Sequence, residues 1–139
     1  GFAIHGVPAA HETVERDGGG RCKFLGYVVE FGGWTVYHSG DTMLYDGMIE
    51  RLQRWQIDVA LLPINGSKPE RRVAGNLDAR EAAQLARDLQ VPCAIPMHYE
   101  MFEFNTADPG EFLAACRDLG ANGRLLKAGE RWSSSELRF

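Results

Sequence analysis

The sequence predicts an α/β domain in which a mixed sheet carries flanking helices. Three observations lead there. Two β-like runs are separated by Gly32-Gly33, the signature of a hairpin. Two nearly continuous apolar runs of strand length, Ile57 to Ile64 and Val91 to Pro96, suit strands buried on both faces. Two segments opening at Asp78 and Asp108 combine a helix-start signal with an apolar stripe at helical spacing. The order is three strands, then helix and strand in alternation, which calls for a mixed sheet with helices packed on it.

Each element has its own grounds. Phe2 to Val7 is short and apolar, and Pro8 stops it. Asp17-Gly18-Gly19-Gly20 is a turn. Phe24 to Phe31 is rich in aromatic and β-branched residues, and Trp34 to His38 returns after the two glycines. Tyr45 to Trp55 reads as a helix with Met48, Leu52 and Trp55 on one face. Asn65 to Asn76 is a polar loop broken by Gly66, Pro69 and Gly75. Asp78 with Glu81 three residues on makes a capping pair, and Ala82, Leu85, Ala86 and Leu89 form the apolar face behind it. Asp108, Pro109 and Glu111 repeat the start signal, and Gly120 ends that helix. Arg124 to Leu126 and Arg131 to Ser133 are expected to be short closing strands.

Composition narrows the classes of function. The 139 residues suit one domain, with 45% hydrophobic and 24% charged residues, which excludes a disordered chain. A net charge of -4 without a basic run leaves no electrostatic footprint for nucleic acid. No apolar run approaches the length of about 20 residues that spans a bilayer, so no membrane partner is expected. Cys22, Cys93 and Cys116 are odd in number and widely spaced, which argues against a disulfide framework and a thiolate zinc site and favours a cytoplasmic setting. The chain opens inside a strand-like run without a basic n-region or an apolar h-region. The expectation is a fragment, or one half of a divided domain.

Chemistry is sought on the loops that follow strands, where open α/β sheets place their ligands. Three such loops carry metal-ligand residue types: His11 after the first strand, Asp41 after the hairpin, and His98 after the second buried strand. Two neutral imidazoles and a carboxylate suit zinc or a similar divalent ion, and one Asp can bridge two ions. On spacing alone the simpler reading of Asp41, a turn residue that caps the next helix, prevails. His5 reads as a structural histidine, and His38 sits near Asp41 in sequence without a fixed direction.

The ordered set carries more than any one motif. Val7-Pro8-Ala9-Ala10-His11-Glu12, Tyr37-His38-Ser39-Gly40-Asp41-Thr42 and Ile95-Pro96-Met97-His98-Tyr99 resemble the third, fourth and fifth metal motifs of the metallo-β-lactamase superfamily. Leu62-Pro63-Ile64-Asn65-Gly66, Gly75-Asn76, Glu81-Ala82-Ala83 and Met101-Phe102-Glu103-Phe104-Asn105-Thr106 resemble its L-ascorbate-6-phosphate lactonase-like branch. The resemblance covers nearly the whole chain. It implies the C-terminal half of an αββα sandwich, residues 1–139 forming a single partial domain. It also implies a site for two divalent ions, zinc or manganese, with His11 on one ion, His98 on the other and Asp41 bridging them. Asp41 and His98 would then be catalytic.

The implied activity is that of a metal-dependent hydrolase, lactonase-like, in which a metal-held hydroxide attacks an ester or lactone carbonyl. Asn65, Arg71 or Arg72, and Asn76 fall in a segment that resembles the family's substrate-facing loop. A guanidinium there would suit a phosphorylated or otherwise anionic small molecule. His38 and Tyr99 are candidates for supporting a ligand histidine or touching substrate. The family's H-x-H-x-D-H motif is absent, so the missing N-terminal half is an expected partner, and homo-oligomerisation through the uncovered sheet face is open. A phosphodiesterase or nuclease on the same fold, and a non-catalytic half-domain, are the competing readings.

Overall fold

The computed structural model describes residues 1–137. Five strands form one sheet in the order β1-β2-β3-β4-β5: Phe2–Pro8, Leu25–Phe31, Trp34–His38, Val59–Pro63 and Cys93–Met97. The first three pair antiparallel and the last three parallel. The sheet is therefore mixed, as the sequence pattern requires. Gly32 and Gly33 both take positive φ, at 56° and 84°, a turn that residues with a Cβ resist.

The helices lie on one face of this sheet. Val7, Val28, Tyr37, Ala60, Leu62 and Ala94 point into the main core, where they meet Met48 and Leu52 of α1 (Met48–Leu52). Ala82, Leu85 and Ala86 of α2 (Ala79–Asp88) and Phe112 and Cys116 of α3 (Pro109–Leu119) complete it. Two of these helices start as their sequences dictate. The Asp78 carboxylate accepts from the Glu81 amide at 2.8 Å while Glu81 accepts from the Asp78 amide at 3.0 Å. Asp108 caps α3, Pro109 follows, and Gly120 closes the helix at φ 72°.

The register places alternate strand residues on the opposite face. There Val59, Cys93 and Ile95 form a second cluster with Val36 and Leu61, covered by Leu126, Trp132 and Leu137 of the chain's last segment. Toward β1 and β2 the same face is open. Phe2, Ile4, Leu25, Tyr27 and Phe31 lie between 40% and 72% exposed.

Two expectations need correction. The helix expected over Tyr45 to Trp55 shrinks to Met48–Leu52, because Gly47 sits at φ 79° and breaks any right-handed helix begun before it. Arg124 to Leu126 and Arg131 to Ser133 are not strands. Only Gly123 bridges to Ala94, and Glu130 turns back onto Lys127 at 2.9 Å, so the segment crosses the sheet as a cover. Among the described residues no helix is long and apolar enough to cross a membrane.

Candidate metal centre

The strand ends gather three loops. The first follows β1, where Ala9 and Ala10 are buried and strapped down: Ala9 donates to Phe24 O at 3.1 Å and Ala10 to Thr42 Oγ1 at 2.9 Å. Thr42, itself fully buried, donates its hydroxyl hydrogen bond to Met43 O at 2.8 Å. One hydroxyl thus ties the loop of His11 to the loop of Asp41, and Met43 returns a bond to Ala10 O at 2.7 Å.

Backbone crowding shapes the second loop. Gly26 lies so close to the strand end that an added Cβ would meet Ser39 O at 2.5 Å, and one on Gly40 would meet Leu25 O at 2.7 Å. Gly40 also turns at φ 64°. The glycine ahead of Asp41 is therefore required twice over, by conformation and by space. His38 steadies the turn by accepting the Gly40 amide at Nδ1, 3.1 Å away.

These loops bring together His11, Asp41 and His98. His11 Nε2 lies 3.7 Å from Asp41 Oδ2, and His98 Nε2 lies 3.3 Å from Asp41 Oδ1. The carboxylate thus faces two imidazoles, one with each oxygen. Both separations exceed the usual N–H···O distance of about 2.9–3.0 Å. The His11 ring leans on Phe24 with centroids 4.9 Å apart, and its Nδ1 is buried without a partner among the described residues. His98 stands at φ 64°, a left-handed conformation unusual for a residue with a side chain.

The other site candidates divide. Asn65 and Asn76 are buried and converge on His98 Nδ1, with Asn65 Oδ1 at 3.3 Å and Asn76 Nδ2 at 3.4 Å. Arg71 does not present a free fork. Its Nη1 donates to Asn65 O at 2.5 Å and Asn105 Oδ1 at 3.3 Å, and its Nη2 to Thr106 O at 2.7 Å. Arg72 is exposed, at φ 53° on the end of a short 3-10 turn. The Tyr99 hydroxyl donates to Leu126 O and anchors the loop after His98. His38 has its pKa lowered, first by desolvation at the strand end and then by the neighbouring His98 charge, with Asp41 opposing. His5 pairs with Glu30 at 2.7 Å and packs on Trp55, a structural role.

Asn105 and Thr106 entered the sequence reading only through resemblance. Their service to Arg71 spans 34 and 35 residues, which no local spacing rule reveals.

The donor set fits part of a divalent metal site. Neutral imidazole nitrogens and a carboxylate are suitable ligands, although among the described residues the buried Nδ1 of His11 lacks the acceptor that a ligand histidine usually has. Among the described residues, however, no group of three or more His, Cys, Asp or Glu closes into a full cage. Each histidine faces a single, different oxygen of Asp41.

A family model described as a β-lactamase superfamily domain matches residues 1–99. A UPF0173 metal-dependent hydrolase of Thermus thermophilus is 36% identical over 124 residues, covering 89% of this chain and 52% of the relative. Igni18, a metallo hydrolase of the archaeon Ignicoccus hospitalis, superposes with a TM-score of 0.71 at 29% identity, covering 91% of this chain and 50% of that one. A Thermotoga maritima structure, proposed as a Zn-dependent hydrolase of the metallo-β-lactamase superfamily, gives 0.57 at 28% identity, covering 81% and 51%. The chain spans about half the length of the relatives it matches. Fold, loop geometry and family match agree: the chain belongs to the β-lactamase superfamily and carries strands and helices of the metallo-β-lactamase fold.

Proposed function

We propose that this chain is the His11–Asp41–His98 portion of a metal-dependent hydrolase that opens an ester or lactone. The observation carrying this reading is the carboxylate of Asp41, which offers one oxygen to each of two histidine Nε2 atoms, at 3.7 and 3.3 Å. Such a carboxylate would suit the role of a ligand shared between two divalent ions, zinc or manganese. Polypeptide beyond these residues would supply the remaining ligands. The doubled length of the relatives and the open sheet face over β1 and β2 support that.

Held by these residues, a divalent ion would supply polarisation of a carbonyl oxygen and a lowered pKa for a water, toward about 7. The chain's own residues then divide the remaining work. Asn65 Oδ1 faces His98 Nδ1 and would accept a proton carried there, which would leave Nε2 free to hold the ion. His38 has the opposite arrangement. Its Nδ1 accepts from the Gly40 amide, so the neutral ring carries its proton on Nε2. His38 Nε2–H is thus a donor for a substrate oxygen or a leaving alkoxide. Its lowered pKa keeps the ring neutral near pH 7. Because Arg71 is engaged, Arg72 is the guanidinium left to meet a phosphate or carboxylate on the substrate.

The test is hydrolysis of phosphorylated sugar lactones and simple esters by the chain together with the polypeptide that completes its domain. Turnover that chelation abolishes, that zinc or manganese restores, and that Asp41→Ala eliminates supports the reading. His38→Ala should retain metal and lower kcat by about 10²-fold, the scale of one lost hydrogen bond to a developing oxyanion. Metal-independent turnover, or none with any ester or lactone, leaves a phosphodiesterase or a non-catalytic module in its place.

A further inference from the structure

The loop after β4 and the loop after His98 are locked together by polar groups whose donor and acceptor roles are forced one by one. A guanidinium can only donate. Arg71 Nη1 points at the side chain of Asn105 from 3.3 Å, so the amide oxygen of Asn105, not its nitrogen, must face it. That same oxygen receives Asn65 Nδ2 at 2.7 Å. Asn65 must then turn its own carbonyl oxygen the other way, toward His98 Nδ1 at 3.3 Å. An oxygen at that nitrogen calls for a proton on Nδ1, in competition with Asp41 Oδ1, which lies 3.3 Å from Nε2 and draws the proton to the other side of the ring.

We propose that Arg71 and Asn105 are positioning residues that, through Asn65, fix the tautomer and direction of His98. This rests on the metal-centre reading above. Burial makes the relay decisive. Asn65 is only 2% exposed, so water cannot freely replace a lost partner. Arg71 is itself held by the carbonyls of Asn65 and Thr106, at 2.5 and 2.7 Å, and so staples the two loops at fixed spacing. Asn76 is the remaining amide at His98 Nδ1. Its Oδ1 is buried and unpartnered, and rotation of that amide gives the same N–H a second acceptor.

The experiment reads the His98 ring directly. In the full chain, labelled with ¹⁵N and free of metal at a pH where imidazole is neutral, NMR should show Nδ1 protonated and Nε2 bare. Asn105→Leu and Arg71→Met should shift the ring toward a mixture of tautomers. Zinc titration followed on the same signals should weaken by about 10–100-fold in both, whereas Asn105→Asp, which keeps the acceptor, should recover the wild-type tautomer and affinity to within about threefold. If Arg71→Met fails to fold, Asn105→Leu, on a partly exposed loop, decides alone. Variants that keep His98 protonated at Nδ1 overturn the relay. A wild-type chain that shows the tautomer and its loss in the variants, yet takes up no zinc even with its domain completed, sinks the metal reading and leaves the relay standing.

Discussion

His98 combines two demands on one residue. It needs Nε2 aimed at Asp41, and it reaches that aim from a left-handed backbone at φ 64°. For an L-residue with a Cβ that conformation costs about 1–2 kcal/mol, and Asn tolerates it better than most. His98→Asn should therefore hold stability level or raise it by up to about 1 kcal/mol while removing metal affinity, the trade expected where function stores strain. Chemical denaturation beside zinc titration measures both; a variant destabilised by more than about 1 kcal/mol would show that the ring's contacts outweigh the strain. The three residues with metal-ligand chemistry were legible because each follows a strand and sits in an ordered motif. Arg71 was legible only as a charge in the right loop. That its guanidinium turns inward to Asn65, Asn105 and Thr106 depends on partners up to 35 residues away.

At the scale of elements, legibility followed local chemistry. Helix α2 announced itself through Asp78 and Glu81, which form a reciprocal capping box. Asp78→Ala should cost about 1 kcal/mol of stability, and Asp78→Asn much less, in urea denaturation. An Asp78→Ala variant as stable as wild type would mean that packing of α2 on α3 alone fixes the start of the helix. The hairpin and both buried strands were equally readable, since their signals lie within a few residues. Helix α1 was over-read because its apolar spacing continues across Gly47, whose positive φ nothing in the periodicity records. The closing strands failed for the opposite reason. Leu126 and Trp132 are apolar enough for strands, yet they serve as a lid on Val59, Cys93 and Ile95. Whether an apolar segment pairs with a sheet edge or lies across its face is settled by tertiary packing.

For the whole molecule, the sheet is covered on its helical face and only partly covered on the other. The open part, from Phe2 and Ile4 across to Tyr27 and Phe31, is an apolar patch of the kind that marks an interaction surface. Its extent was foreseen only in outline, since alternation shows two apolar faces without saying what lies on them. The isolated chain should self-associate through it. Ile4→Lys with Tyr27→Glu should move the chain toward a monomer in sedimentation velocity without loss of its helical circular-dichroism signal. Unchanged association would place the sticky surface elsewhere, for instance at exposed Met101, Phe102 and Phe104.

The account depends most on one carboxylate joining two histidines around metal. The direct measurement is metal content by elemental analysis after equilibrium dialysis, with and without the polypeptide that completes the domain, for wild type and for His11→Ala, Asp41→Ala and His98→Ala. The account predicts close to two divalent ions in the completed wild type, a loss of about one with either histidine removed, and loss of both with Asp41→Ala. A completed protein without stoichiometric metal, or one that keeps both ions after Asp41→Ala, would contradict it.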